Sequence, residues 1–321
     1  MKYSNYIYSI IILLGSGILY DKYKRINKTD EDAVQYEAVR KYLLNDSSLA
    51  KSKKPLLWIH INYEVNARWW PSFNSRNTES LNQPYQFLTI KSIVDTCGKD
   101  FNICLIDDST FQNIIPGWST DLTTMADPLR SKLRQLAFAK LLFSYGGFLM
   151  PSSFLCFKNL KPIYDAYTQN NKMFVGELID RNSTSQQVNF FPNTLFMGCK
   201  KETPLMYEYM NYLETLVSAD YTDESNFLGA YGRWCNERIL NREMNLLTAD
   251  CLGAKDLHNA PVTIERLMGN TYIDLAGSVM GLYIPADEIL RRTAFQWFAR
   301  LSAKQALASD TIIGKYLLIS R

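Results

Sequence analysis

Histidine is scarce in this chain, with only His60 and His258 in 321 residues. A metal centre built on several imidazoles is therefore excluded, and a Ser-His-Asp triad has just two candidate bases. The six cysteines (Cys97, Cys104, Cys156, Cys199, Cys235, Cys251) include no Cys-x-x-Cys pair and no zinc spacing, which removes zinc-ribbon and thioredoxin-type chemistry. They read as reduced, buried thiols, although scattered spacing alone does not exclude disulfides. With 15 glycines and 11 prolines the chain is neither fibrous nor low in complexity, and no internal repeat is visible. It also lacks Gly-x-Gly-x-x-Gly, the P-loop, His-Glu-x-x-His and Gly-x-Ser-x-Gly. The commonest dinucleotide, NTPase, metalloprotease and hydrolase signatures are thus missing.

Charge is absent from Ser4 to Tyr20, which reads SNYIYSIIILLGSGILY. As a helix this stretch spans about 26 Å, close to a hydrocarbon core, and Tyr3, Tyr20 and Tyr23 suit the two interfaces. A single-pass anchor in the lipid bilayer is expected through residues 4–20. A cleaved signal peptide fits less well, because the apolar run continues past the small residues Gly15-Ser16-Gly17. Four basic residues follow the span and only Lys2 precedes it, which places the body on the cytosolic side. The sequons at Asn27, Asn45 and Asn182 point the other way, but so short a triplet arises often by chance.

The formal net charge of +3 hides an uneven distribution. Residues 1–28 hold five basic groups against Asp21, and residues 290–321 hold six against Asp310. The 261 residues between them therefore sum to −6. A nucleic-acid-coating protein needs a basic body, so no nucleic-acid partner is expected.

Behind the anchor and its basic flank (1–28), residues 29–54 read as a stem and linker. Thr29-x-x-Asp32 opens an amphipathic stretch, and NDSSLAKSKK follows it. The globule (55–321) begins with an apolar strand at Leu57–Ile61. Pro84 is placed at the first position of a helix that ends at Gly98, taken as a left-handed cap. A strand at Phe101–Ile106 closes on Asp107-Asp108. Asp127-Pro128 is read as the cap and first residue of a helix running to Tyr145, stopped by Gly146-Gly147. Strands are expected at Phe148–Met150, Met173–Leu178 and Leu195–Met197, with a helix from Pro204 to about Val217. The last third is mainly helical and contains one long helix from Pro285 to about Ala308. Strands alternating with helices predict an α/β fold, a mostly parallel Rossmann-like sheet flanked by helices, with a helical C-terminal part.

The segment Leu141–Met150 (LLFSYGGFLM) resembles the "LLYKYGGIYLDTD" stretch of family 32-type glycosyltransferases, which include capsular and mannosyl transferases. Ile106-Asp107-Asp108, and Asn193–Gly198 followed by Thr203-Pro204, resemble further segments of that family. The resemblance covers residues 56–215 and is specific mainly at 141–160. It implies a GT-A-like fold in which two aspartates after the Gly-Gly turn hold Mg²⁺ or Mn²⁺ on a nucleotide-sugar diphosphate. In this chain those positions are Pro151 and Ser153, with Ser152 between. An acid and an arginine of the family's preceding helix are replaced by Gln135 and Phe138. Arg134 adjoins the first of these but faces about 100° away. A neutral serine hydroxyl is a poor ligand for a hard cation, so no metal cofactor is expected. A narrower resemblance, carried by residues 58–73, 81–95, 141–160 and 284–302, is to a group of virion- or membrane-associated proteins of giant viruses. In that group Pro-x-Ser-Phe after Gly-Gly is the rule. This resemblance implies a virion or host-endomembrane location and capsid or other virion proteins as partners.

Two readings follow. The first is a membrane-anchored, catalytically inactive glycosyltransferase-like protein with a structural or interaction role. The alternative is a metal-independent glycosyltransferase that uses basic side chains at the leaving diphosphate, with Arg68, Arg76, Lys91, Arg130 and Arg134 as candidates. No catalytic residue is assigned. The candidate donor-binding set is Asp107, Asp108, Gly146, Gly147, Ser152, Ser153 and Arg134. Four of these also have a plainer role: Asp107-Asp108 as a strand-end turn, and Gly146-Gly147 as a helix stop. His60, inside an apolar strand, reads as a satisfied strand-end side chain. Trp58, Trp69-Trp70 and Trp118 read as core before ligand-stacking residues. The 285–309 segment reads as a domain-closing element before a membrane-surface helix.

Overall fold

Leu56–His60 (β1) is apolar at four of its five positions, and those four are buried. Continuous burial of this kind marks a strand covered on both faces. The computed structural model pairs β1 in parallel with Asn102–Ile106 (β2) on one side and with Gly147–Pro151 (β3) on the other. The described residues are 54–61, 83–180, 189–219 and 224–320. The expected anchor, the stem, the three sequons, Arg68, Arg76 and Trp69-Trp70 lie outside them. Among the described residues no helix is long and apolar enough to cross a membrane.

Phe174–Asp180 (β5), Asn189–Cys199 (β6) and Asn245–Leu247 (β7) complete a six-stranded sheet of order β2-β1-β3-β6-β5-β7. Only β6 runs against the rest, pairing antiparallel with both β3 and β5. The expected mostly parallel α/β sheet is therefore present, with one reversed strand inside it. Phe154–Cys156 (β4) pairs with Gly281–Tyr283 (β8) in a separate two-stranded ribbon.

The helices Gln86–Cys97 (α1), Phe111–Ile114 (α2), Leu129–Tyr145 (α3), Lys161–Tyr167 (α4), Pro204–Ser218 (α5) and Glu224–Leu240 (α6) intervene between strands. α1 packs on β4, α3 on α5, and α6 on β6. One core gathers Trp58, Leu141, Met197 and Tyr209 between sheet and helices. A second joins Tyr85, Leu155, Ile289, Phe298 and Ile312, and so fastens the C-terminal part to α1 and β4.

That C-terminal part consists of Ile264–Met268 (α7), Ala286–Arg291 (α8), Gln296–Ala299 (α9), Ala303–Leu307 (α10) and Ile312–Ile319 (α11). The single helix expected from Pro285 to Ala308 is thus three short ones. On a straight helix Ile289 and Phe298, nine residues apart, point about 180° from each other. Both are 0% exposed in the same core, so the chain must bend between them. It does so at Arg292, whose backbone is extended (φ −94°, ψ 112°).

Other boundaries also differ. α1 opens at Gln86, with Pro84 in the preceding turn rather than at the first helical position. Gly98 is right-handed (φ −62°); its need for glycine is space, since a Cβ there would lie 2.6 Å from the Val94 carbonyl oxygen. Asp127 does not cap α3. Pro128 holds that position, while the Asp127 carboxylate accepts from Ser131 Oγ and Arg130 Nη2, both at 2.5 Å.

Candidate functional site

β1, β2 and β3 end level: His60 is in register with Ile106 on one side and Pro151 on the other. Ligands of open α/β sheets bind outside such carboxyl ends. Three features meet at this edge: the last residue of β1, the two aspartates after β2, and the Pro151–Ser153 turn after β3.

Asp107 folds back on its own chain. Its Oδ1 accepts from the Thr110 amide at 2.9 Å and from the Ser109 and Thr110 hydroxyls at 2.6 Å each. This is the strand-end turn typical of aspartate.

Asp108 points inward, to a guanidinium and an imidazole. Arg134 Nε donates to Oδ1 at 2.7 Å and Nη2 to Oδ2 at 2.6 Å, a bidentate pair. His60 Nε2 lies 3.0 Å from the same Oδ1. The three side chains are only 12–14% exposed. Phe111 stacks on the imidazole at 5.9 Å and Phe138 meets it edge-on at 5.1 Å. Arg134 and Phe138 are four residues apart and so share one face of α3. Gln135 is on another face, where its Oε1 accepts from Thr194 Oγ1 at 3.1 Å.

Burial by itself raises the Asp108 carboxyl, but the hydrogen bonds from Arg134 and His60 outweigh it and hold the group well below the usual carboxylate range. Burial lowers the His60 imidazole, and the bond to Asp108 restores only part of the loss. The favoured state is therefore neutral imidazole, ionised carboxylate and guanidinium, a trio with no net charge.

After β3, Ser152 and Ser153 are 7% and 3% exposed. Ser152 Oγ donates to Gln86 Oε1 at 3.0 Å, and its carbonyl accepts from Thr89 Oγ1 at 2.5 Å. The Ser153 carbonyl accepts from the Ile284 amide at 3.2 Å. This turn is thus pinned under α1 and beside β8. Packed in this way, the neutral Pro151–Ser153 turn offers no carboxylate to a divalent cation.

Gly146 and Gly147 have φ of 68° and 110°. A Cβ on Gly146 would lie 2.5 Å from the Lys201 amide nitrogen, and one on Gly147 2.5 Å from the Leu56 carbonyl oxygen. Trp58 Nε1 donates to the Gly146 carbonyl at 2.9 Å. Both glycines are buried at the end of α3. Trp58 and Trp118 are core side chains, 1% and 8% exposed.

The edge thus brings His60, Asp108 and Arg134 together, with Ser152 and Ser153 packed in the turn after β3, whereas Gly146 and Gly147 lie at the opposite end of β3, where that strand begins. Lys91 lies on α1 and pairs with Asp95, and Arg130 pairs with Asp127. Sequence reasoning missed the trio. The available signal was an apolar strand ending in histidine beside a strand ending in acids, with Arg134 and Phe138 at helical spacing. It also missed a spatial pair of thiols, since the sulfurs of Cys97 and Cys156 are 3.8 Å apart in the core. Among the described residues no group of three or more His, Cys, Asp or Glu is placed to hold a metal ion.

The molecule is thus a mixed α/β protein whose carboxyl sheet edge is closed by a partly buried ion pair. No protein-family model and no curated protein matches the chain. Among solved structures, one titled "PaToxG Glycosyltransferase" is similar at 14% identity and a TM-score of 0.31, covering 67% of this chain and 81% of that one.

Proposed function

We propose that this protein is a membrane-anchored, non-catalytic α/β protein of glycosyltransferase-like type with a structural or interaction role, in a virion membrane or host endomembrane. The observation that carries the reading is the bidentate clasp of Asp108 by Arg134. A carboxylate already neutralised by a partly buried guanidinium is a weak ligand for a metal–diphosphate complex, and the same guanidinium is then unavailable to a leaving phosphate. The occupied Ser152–Ser153 turn supports the same conclusion. The metal-independent transferase reading loses its best-placed cation in this arrangement. The charge-free residues 4–20 support the anchor, and the giant-virus resemblance supports virion or capsid proteins as partners.

The test is a thermal-shift series on the full chain in detergent, with UDP- and GDP-sugars, each with and without Mn²⁺. No stabilisation is expected at any concentration. Saturable stabilisation by one of them would sink the proposal, because binding to the native state raises the melting temperature by mass action. So would sugar-nucleotide hydrolysis that disappears in a folded Asp107→Ala variant.

A further inference from the structure

Cys97 is the last residue of α1 and Cys156 the last of β4, and their sulfurs are 3.8 Å apart. The chain from Ser152 to Cys156 is laid along α1 by polar contacts on either side of that pair. Ser152 Oγ donates to Gln86 and its carbonyl accepts from Thr89, while the Cys156 amide donates to Ser92 Oγ at 2.9 Å. Both backbones are therefore fixed where the sulfurs meet. A disulfide needs a separation of about 2.05 Å, so each sulfur has to move by only about 0.9 Å.

The six thiols also differ in reactivity. Burial pushes Cys104, Cys199 and Cys235 up to about 12, and raises Cys251 as well. Cys97 goes the other way, because its hydrogen bond with Cys156 outweighs burial and lowers it. Cys156 is raised and stays protonated, with the Cys97 sulfur and the Lys158 carbonyl, 3.1 Å away, both in reach of its S–H. The thiolate is the nucleophile, so Cys97 is the sulfur that reacts first. Cys97 and Cys156 are 0% and 2% exposed, yet Cys97 adjoins the exposed Gly98 and Lys99. Fraying of a helix end at such a place is a low-energy opening, wide enough for a small oxidant.

We propose that Cys97 and Cys156 are a site of reversible oxidation, at which a peroxide forms a disulfide that locks α1 to β4. The Cys97 thiolate attacks one oxygen of hydrogen peroxide, giving a sulfenic acid and releasing hydroxide, which takes up the proton that Cys97 lost. The Cys156 sulfur then attacks the Cys97 sulfur, and the hydroxyl leaves as water with the Cys156 proton. Two thiols are oxidised by two electrons in all, and one peroxide is reduced to two waters. A dithiol reductant reverses the bond by exchange. Tyr85 and Leu88 from the start of α1 and Leu155 from β4 line the core that holds the C-terminal part, so the lock acts on that part too. This chemistry needs neither the anchor nor a transferase site.

The experiment treats the full chain in detergent with hydrogen peroxide, then counts thiols by denaturing alkylation and maps the peptides. The count should fall from six to four, with residues 97 and 156 joined, and dithiothreitol should restore six. The joined residues are 59 apart in sequence, so the oxidised protein should melt roughly 5–10 °C higher than the reduced one. Cys156→Ser keeps a hydrogen-bond donor but removes the second sulfur, so it should accumulate a sulfenic acid at Cys97 that dimedone captures. Cys251→Ser should still lose two thiols. Six thiols after treatment, a link through any other pair, or an unchanged melting temperature overturns the proposal, as does a dimedone adduct on a residue other than Cys97. If Cys156→Ser does not fold, the thiol count and melting shift of the unsubstituted chain decide the matter alone.

Discussion

At the scale of single residues, Asp108 supports more of the edge than any other group described there. Removing its carboxylate leaves Arg134, only 14% exposed, without its partner. Asp108→Ala should therefore cost about 3–5 kcal/mol in urea denaturation. An apolar double replacement, Asp108→Leu with Arg134→Met, should recover most of that loss, which a merely shortened side chain cannot do. The trio also sets a pH dependence. The folded state holds the His60 imidazole below its ordinary 6.5, so the unfolded chain binds that proton more readily. Stability is then complete above pH 6.5 and falls as pH drops through it. Asp108, held below its ordinary 3.8, repeats the sign at lower pH: its contribution is present above that value and is lost as pH falls toward the folded one. Melting temperature against pH should show two descending steps, and His60→Asn should erase the upper one while leaving the lower.

At the scale of elements, the bend between α8 and α9 makes a sharp prediction. Phe298 is 0% and its neighbour Trp297 46% exposed. Phe298→Ala should destabilise by about 3–5 kcal/mol, and Trp297→Ala by less than about 1 kcal/mol. On one unbroken helix aligned by Ile289, Phe298 would face outward and the order of effects would invert. This is also where sequence reasoning met its limit. β1, β2, β3 and α5 were legible because each is a short apolar run or a proline-opened helix bounded by its own turn residues. The three C-terminal helices were not, because what divides them is a common core reached from Tyr85 and Leu155, more than a hundred residues away. The same distinction runs through the site. The Asp107 turn and the Gly146-Gly147 stop are local, and their plain roles could be read directly. The partners of Asp108 come from β1 and α3, and no local pattern joins Arg134 to an acid 26 residues earlier.

For the whole molecule, the proposed cytosolic body makes a joint prediction about chemistry that differs between the two sides of a membrane. The sulfurs of Cys97 and Cys156 are 3.8 Å apart, so in an oxidising compartment this pair is the one positioned to cross-link. In a reducing one, all six thiols should titrate in the unfolded protein. In the native protein Cys251 should be alkylated well ahead of the other five, since it alone is not buried. The sequon at Asn182 belongs to the body, and on the cytosolic side it stays unmodified. Three measurements on protein in intact membranes bear on one question. External protease should digest the body. Glycosidase treatment should leave its mobility unchanged. Denaturing alkylation should count six thiols. A protected body with a glycosidase-sensitive mass and four thiols would reverse the topology, and with it the orientation inferred from Lys22, Lys24, Arg25 and Lys28.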